Sequence, residues 1–157
     1  MMNVQELVEL LGAHPFLAGF PRNHLGTLAD CASHVSFVDG EAIVREDAEA
    51  NRFYLLRQGR VAISTTVPGR GQVTLQTLHD GEVLGWSWLA PPHRWHFDAQ
   101  SLGPTQAIVF DAPTLRTQME RDAELGYALT RRFIPVMLAR MQAARRQFVD
   151  MYRQAAS

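Results

Sequence analysis

At 157 residues, with 46% hydrophobic and 20% charged side chains, the chain has the make-up of one folded domain rather than a disordered polymer or a fibrous repeat. A formal net charge of −1 provides no bulk attraction for nucleic acid or an anionic membrane surface, although a local basic patch is compatible with a neutral total. The single Cys31 excludes an intrachain disulfide and a cysteine-based zinc site. The first residues, MMNVQELVELLGAHPF, set acids among leucines and do not read as a signal peptide, and no window has the apolar length of a membrane span. The expected location is the cytoplasm, with no membrane association.

From Val4 to Leu11 apolar residues recur at helical spacing, with Gly12 as the expected stop. A second helix is predicted from Pro21, burying Leu25, Leu28, Ala29 and Ala32 on one face, with Cys31 and Ala32 near its end. The period then changes to alternation. Val35, Phe37, Ile43, Phe53, Leu55, Val61, Ile63, Val73, Leu75 and Leu78 fall in short runs, punctuated by Asp39-Gly40, Gln58-Gly59, Pro68-Gly69 and Asp80-Gly81. Ala99 to Phe110 supplies two more strands, broken at Gly103-Pro104. Short strands with regular turns predict a sandwich or barrel.

From Pro113 the pattern is helical nearly to Ser157, and Pro135 is expected to kink or split it. Beyond Pro135, Met137, Met141, Ala144, Phe148 and Met151 form a short heptad seam, the expected homodimer contact. Arg140, Arg145, Arg146 and Arg153 lie on the other face, which reads as a solvated helix surface. Asp111, just before Ala112-Pro113, reads as an N-cap.

The stretch with ligand chemistry is GEVLGWSWLAPPHRWHFDA, from Gly81 to Ala99. A short turn with free N–H groups beside a guanidinium makes an anion-binding concavity. Competing chemistry is weak. His93 and His96 are three apart, which on a strand sends them to opposite faces, and the other histidines are scattered without ligand spacing. Cys31 reads as a buried structural thiol, and Ser87 lacks a nucleophile-elbow context. No catalytic residue and no metal ligand is predicted, so a non-enzyme is expected.

Helices, about eight short strands and a seam-bearing helix, in that order, resemble the cyclic nucleotide-binding domain of the Crp/Fnr regulators and kinase regulatory subunits. The matching residues are Asp39-Gly40-Glu41, then Phe53 to Ile63 with Gly59, then Leu78-His79-Asp80-Gly81, Gly85, Leu89 and Arg94. Physically, Gly40 and Gly59 suit tight turns between strands. The resemblance implies a β-roll (double-stranded jelly-roll barrel) at 34–111 between N-terminal helices at 1–33 and C-terminal helices at 112–157, all one domain. It also implies a phosphate-binding cassette: a glycine, a glutamate for the ribose 2′-hydroxyl, a helical turn, and an arginine for the cyclic phosphate.

The cassette departs from that pattern. Matching Gly85 puts Trp86 where the glutamate belongs; matching Gly81-Glu82 instead leaves too many residues before Arg94. Losing a charged hydrogen-bond partner costs about 1.5–3 kcal/mol, on the order of tenfold to a hundredfold in affinity. Between Arg94 and Ala99 the chain is one residue shorter than the family pattern, a departure that bears on where Arg94 points. The aromatic residues Trp86, Trp88, Trp95 and Phe97 either fill the pocket or stack on a different planar ligand. The last helix, at Ala143-Ala144-Arg145-Arg146, offers no hydroxyl to cap a base.

The candidate ligand-binding residues are therefore Gly85, Trp86, Ser87, Trp88, Leu89, Arg94 and Trp95, toward cyclic AMP, cyclic GMP or a related small ligand. The expected function is a non-catalytic regulatory or sensory domain with a divergent cassette. The alternative is a dimeric interaction module that kept the fold and lost the nucleotide. In the Crp/Fnr regulators a winged helix-turn-helix follows the long helix. This sequence stops at Ser157, where that domain would begin, so a stand-alone domain without direct DNA binding is expected.

Overall fold

A computed structural model describes residues 2–156. Helices α1 (Val4–Ala13) and α2 (Arg22–Asp30) precede eight strands: β1 (Ala32–Phe37), β2 (Ala42–Val44), β3 (Arg52–Gln58), β4 (Val61–Val67), β5 (Gly71–Leu78), β6 (Val83–Leu84), β7 (Asp98–Ser101) and β8 (Thr105–Asp111). Helices α3 (Ala112–Arg121) and α4 (Ala123–Ala156) follow. The strands form two antiparallel four-stranded sheets, in the orders β1-β8-β3-β6 and β2-β7-β4-β5. This is the expected jelly-roll with flanking helices.

The alternation of apolar side chains sets the sheet faces, and their largest members meet in one aromatic stack. Phe53 lies parallel between its cross-strand partner Phe110 and Trp88, with ring centroids 4.4 and 4.5 Å away. Phe133 of α4 abuts Phe53 and Trp88 edge-on at 5.6 and 5.7 Å. All four are buried, so one cluster joins the sheet, the cassette turn and the last helix.

Three helix boundaries differ from expectation. Helix α1 passes through Gly12 to Ala13, and Ala32 already belongs to β1 rather than to the second helix. The C-terminal helical region divides at Asp122, not Pro135. Asp122 has extended backbone angles and closes α3, while its carboxylate accepts from the Leu125 N–H at 3.2 Å to start α4. Pro135 sits exposed within α4, where the carbonyl left without a partner can be solvated. Asp111 does cap α3, accepting from the Thr114 N–H at 3.2 Å.

His14 ties the N-terminal helices to the sheet. Its Nδ1 accepts from the Phe16 N–H at 3.1 Å, so Nε2 carries the proton and donates to the Leu56 carbonyl at 2.8 Å. Burial, helped by the Arg57 charge, holds its pKa below the usual histidine value of 6.5 despite the Leu56 carbonyl. Below about pH 6.5 the unfolded chain binds a proton that the fold resists, so stability falls as pH drops through the lowered folded pKa. Urea midpoints should therefore decline on acidification below that value, with a shallower slope in His14→Gln. Gly59 is the second test. It has φ +123°, and an added Cβ would lie 2.8 Å from the Thr105 Cα. Gly59→Ala should cost about 2 kcal/mol or more, against about 1 for Gly69→Ala, which meets nothing within 4 Å.

Candidate functional site

The cassette begins where β6 ends. Gly85 has φ +98°, and a methyl group there would collide with the six-membered ring of Trp95. Glycine is thus required twice, for the backbone bend and for close approach of an indole. The chain then makes a short 3-10 turn over Ser87–Leu89, the helical turn that the resemblance implies. Trp86 precedes that turn, half-buried, and its carbonyl accepts from the Leu89 N–H at 3.0 Å.

The predicted residues do not converge on one pocket. Trp88 is fully buried in the aromatic stack and belongs to the core. Its indole N–H has no partner among the described residues, a cost of about 1–3 kcal/mol set against the stacking it permits. Ser87 and Leu89 are half-buried on the turn. Trp95 is buried at 4% exposure, lying over Gly85 with Phe97 beside it at 5.8 Å. Arg94 is exposed, and its Nη1 donates to the Asp47 carbonyl at 2.8 Å.

The orientation of Arg94 has a backbone cause. Residues 93–95 run antiparallel to residues 47–50: Ala50 N–H donates to the His93 carbonyl at 2.7 Å, Trp95 N–H to Ala48 at 3.0 Å, and Asp47 N–H to Trp95 at 2.9 Å. In extended chain successive side chains face opposite ways. Trp95 and Ala99 are buried and Phe97 half-buried, whereas Arg94 and His96 are exposed. In extended chain a change of one residue in length reverses which of two neighbours points in. Of the two neighbours, Trp95 is the one that faces inward.

Helix α4 closes the other side. The Arg140 guanidinium lies over the Trp86 ring, 4.9 Å from its centroid, and its Nη2 donates to the Val83 carbonyl. Burial lowers its pKa to about 10, with the Glu82 charge opposing, so it stays charged at neutral pH. Arg140 is therefore no member of a solvated face, and it is the site residue that helical periodicity missed. Its one sequence signal is position: it follows Pro135 on the helix that caps the cassette. Glu82, the other acid near the cassette, is engaged elsewhere; its carboxylate accepts from the His79 N–H at 2.7 Å.

Among the described residues no group of three histidines, cysteines or acids could hold a metal ion, and no helix is long and apolar enough to cross a membrane. The thiol of buried Cys31 is pushed up by burial and by the charges of Asp111 and Asp30, away from the thiolate a nucleophile needs.

Comparison with known proteins agrees with the fold. A cAMP-dependent protein kinase regulatory subunit of Dictyostelium discoideum is 32% identical over 88 residues, 54% of this chain but 27% of that protein. The chain thus spans about a quarter of that relative. A solved cyclic nucleotide-binding domain from Methylobacillus flagellatus superposes with a TM-score of 0.78 at 15% identity, over 94% of this chain and 83% of its own. The regulatory subunit of a cAMP-independent protein kinase A from Trypanosoma brucei gives 0.62 at 18% identity, over 77% of this chain and 47% of its own. At such identities the two structures speak for the fold alone. Residues 34–122, more than half of the sequence, match the cyclic nucleotide-binding domain family, and the chain belongs to that family.

Proposed function

We propose that this chain is a non-catalytic regulatory domain whose sugar-phosphate site is occupied by its own side chains, and that it acts through helix α4. The observation that carries this reading is the contact of Trp95 with Gly85. An indole lies against the glycine from which a ligand-binding cassette would start, and the arginine beside it faces out. Trp86 under Arg140 supports the same reading, since the contact joins the last helix directly to the cassette. A cation over an indole in a partly desolvated setting contributes about 1–2 kcal/mol.

The reading makes a direct prediction for the family's ligands. Calorimetry with cyclic AMP and cyclic GMP should give no saturable heat and no thermal shift up to about 1 mM, an affinity weaker than about −4 kcal/mol. Trp86→Glu alone should remain silent. The new carboxylate would pair with Arg140, and Trp95 would still fill the inward position. Tight binding by the parent chain would overturn the proposal, and binding gained by Trp86→Glu alone would overturn the argument from Trp95.

The output surface is the distal part of α4, where Met141, Phe148 and Met151 are 61–64% exposed and half-buried Met137 begins the seam with Ala144. A second copy pairing along this seam is the arrangement that buries those side chains. Sedimentation should then show a dimer insensitive to nucleotide. The double change Met141→Glu and Phe148→Glu should give folded monomers whose Tm no longer depends on protein concentration; a persistent dimer would move the interface elsewhere.

A further inference from the structure

Turned out of the barrel, Arg94 meets a second arginine. Arg94 from the cassette loop and Arg116 from α3 line one surface cavity of about 260 Å³, together with Asn51, His93, Glu49 and Pro113. Each guanidinium is anchored by one N–H on a backbone carbonyl: Arg94 on Asp47 and Arg116 on Trp88, both at 2.8 Å. Arginine has five N–H donors, so several remain on each side chain after anchoring.

Neither guanidinium is neutralised. Among the described residues the single ion pair within 4.0 Å is His24 with Asp122, so no carboxylate stands that close to Arg94 or Arg116. Two arginines against Glu49 leave the lining with one net positive charge. The first-turn amides of α3 add no donors, because Ala112 N–H is on the Asn51 carbonyl at 3.1 Å and Thr114 N–H on Asp111 at 3.2 Å. The cavity is therefore lined by two arginines from different elements, neither of them ion-paired, with Asn51 and His93 in the same lining. A guanidinium presents several N–H donors to phosphoryl oxygens, which makes arginine a common partner of phosphate. A larger cavity, about 750 Å³, shares Asn51 and Pro113 with this one and runs along β1 past Ser33 and His34. It gives the remainder of a ligand somewhere to lie.

We propose that the Arg94–Arg116 cavity binds a phosphoryl dianion, as free phosphate or as the head of a small phosphomonoester, on the outer face of the domain. This site rests on the outward turn of Arg94, which accompanies the burial of Trp95. The family's own ligands are cyclic diesters with a single charge, and their binding is measured separately.

Titration calorimetry at low ionic strength with inorganic phosphate and with phenyl phosphate tests the assignment. Saturable binding is expected below about 10 mM. Arg94 is exposed, so Arg94→Gln should fold normally and weaken binding about tenfold. Glu49→Gln should tighten it several-fold, a gain that damage to the fold cannot mimic. Arg70→Gln, in the exposed turn between β4 and β5, should leave it unchanged. Tighter binding of phenyl phosphate would assign the adjoining cavity to the ester body, and equal binding would identify free phosphate; both uphold the anion site. No saturable binding, indifference to Arg94→Gln and Glu49→Gln, or an equal loss of binding in Arg70→Gln would overturn it.

Discussion

Residues 47–50 and 93–95 are joined by three backbone hydrogen bonds of 2.7–3.0 Å, and the side chains they carry have no freedom to exchange faces. Rotating Arg94 inward would require Trp95 to rotate outward. That would expose an indole now 4% accessible, at a cost of about 2–3 kcal/mol, and would break the short ladder as well. The pairing thus fixes both properties of the cassette together, a filled interior and an outward cation. Neither follows from the side chains considered singly. Arginine and tryptophan occur at neighbouring positions, and the parity of the chain decides which of them meets Gly85.

Helix α4 is held to the barrel by two kinds of contact. Leu125, Leu129 and Phe133 are buried and belong to the core. Farther along, the attachment is made by long polar side chains reaching backbone carbonyls. Arg132 donates to Phe16 and Ala18, Arg140 to Val83 and Gln147 to Leu75. Steps of eight and seven residues keep these three on one side of a helix with 3.6 residues per turn. Their acceptors Val83 and Leu75 lie in β6 and β5, each the outer strand of its own sheet. The helix therefore satisfies edge carbonyls of both sheets, a use of side-chain donors that also limits open-edge pairing. Because Arg140 also covers Trp86, displacement of this part of α4 and exposure of the cassette are one event.

Much of the architecture was legible because it rests on periodicity. The alternation around Phe53–Leu55 and Val61–Ile63, and the glycines at 40 and 59, mark strands and turns without reference to anything distant. The division of the C-terminal helices was not, because Pro135 is a conspicuous breaker while Asp122 acts through a cap that only geometry reveals. Within the site, Trp86 stood out as a substitution and the shortened segment after Arg94 as a length change. The sequence does not state that Trp95 takes the vacated direction, since this depends on pairing with residues more than forty positions away. Nor does it show Arg140 leaving the solvated face. A helical wheel sorts residues by angle, and the cassette approaches α4 from a direction the wheel does not contain.

The division of α4 has a thermodynamic consequence. Releasing its proximal part would expose Phe133 and open the aromatic stack, at a cost comparable with truncating a core phenylalanine, about 3–5 kcal/mol. Releasing the part beyond Met137 forfeits the Arg140 cation–π contact and a few hydrogen bonds whose partners can all be taken over by water. Exchange with water leaves a net loss of only about 0.5–1.5 kcal/mol for a neutral bond and somewhat more for the guanidinium. A partner that engages the exposed seam better when the helix is lifted needs a differential affinity of only a few kcal/mol to reverse the population. A nucleotide entering from the other side must first displace a buried indole held by a backbone ladder. On the proposed reading, displacing the distal helix therefore requires less free energy than admitting a ligand to the barrel.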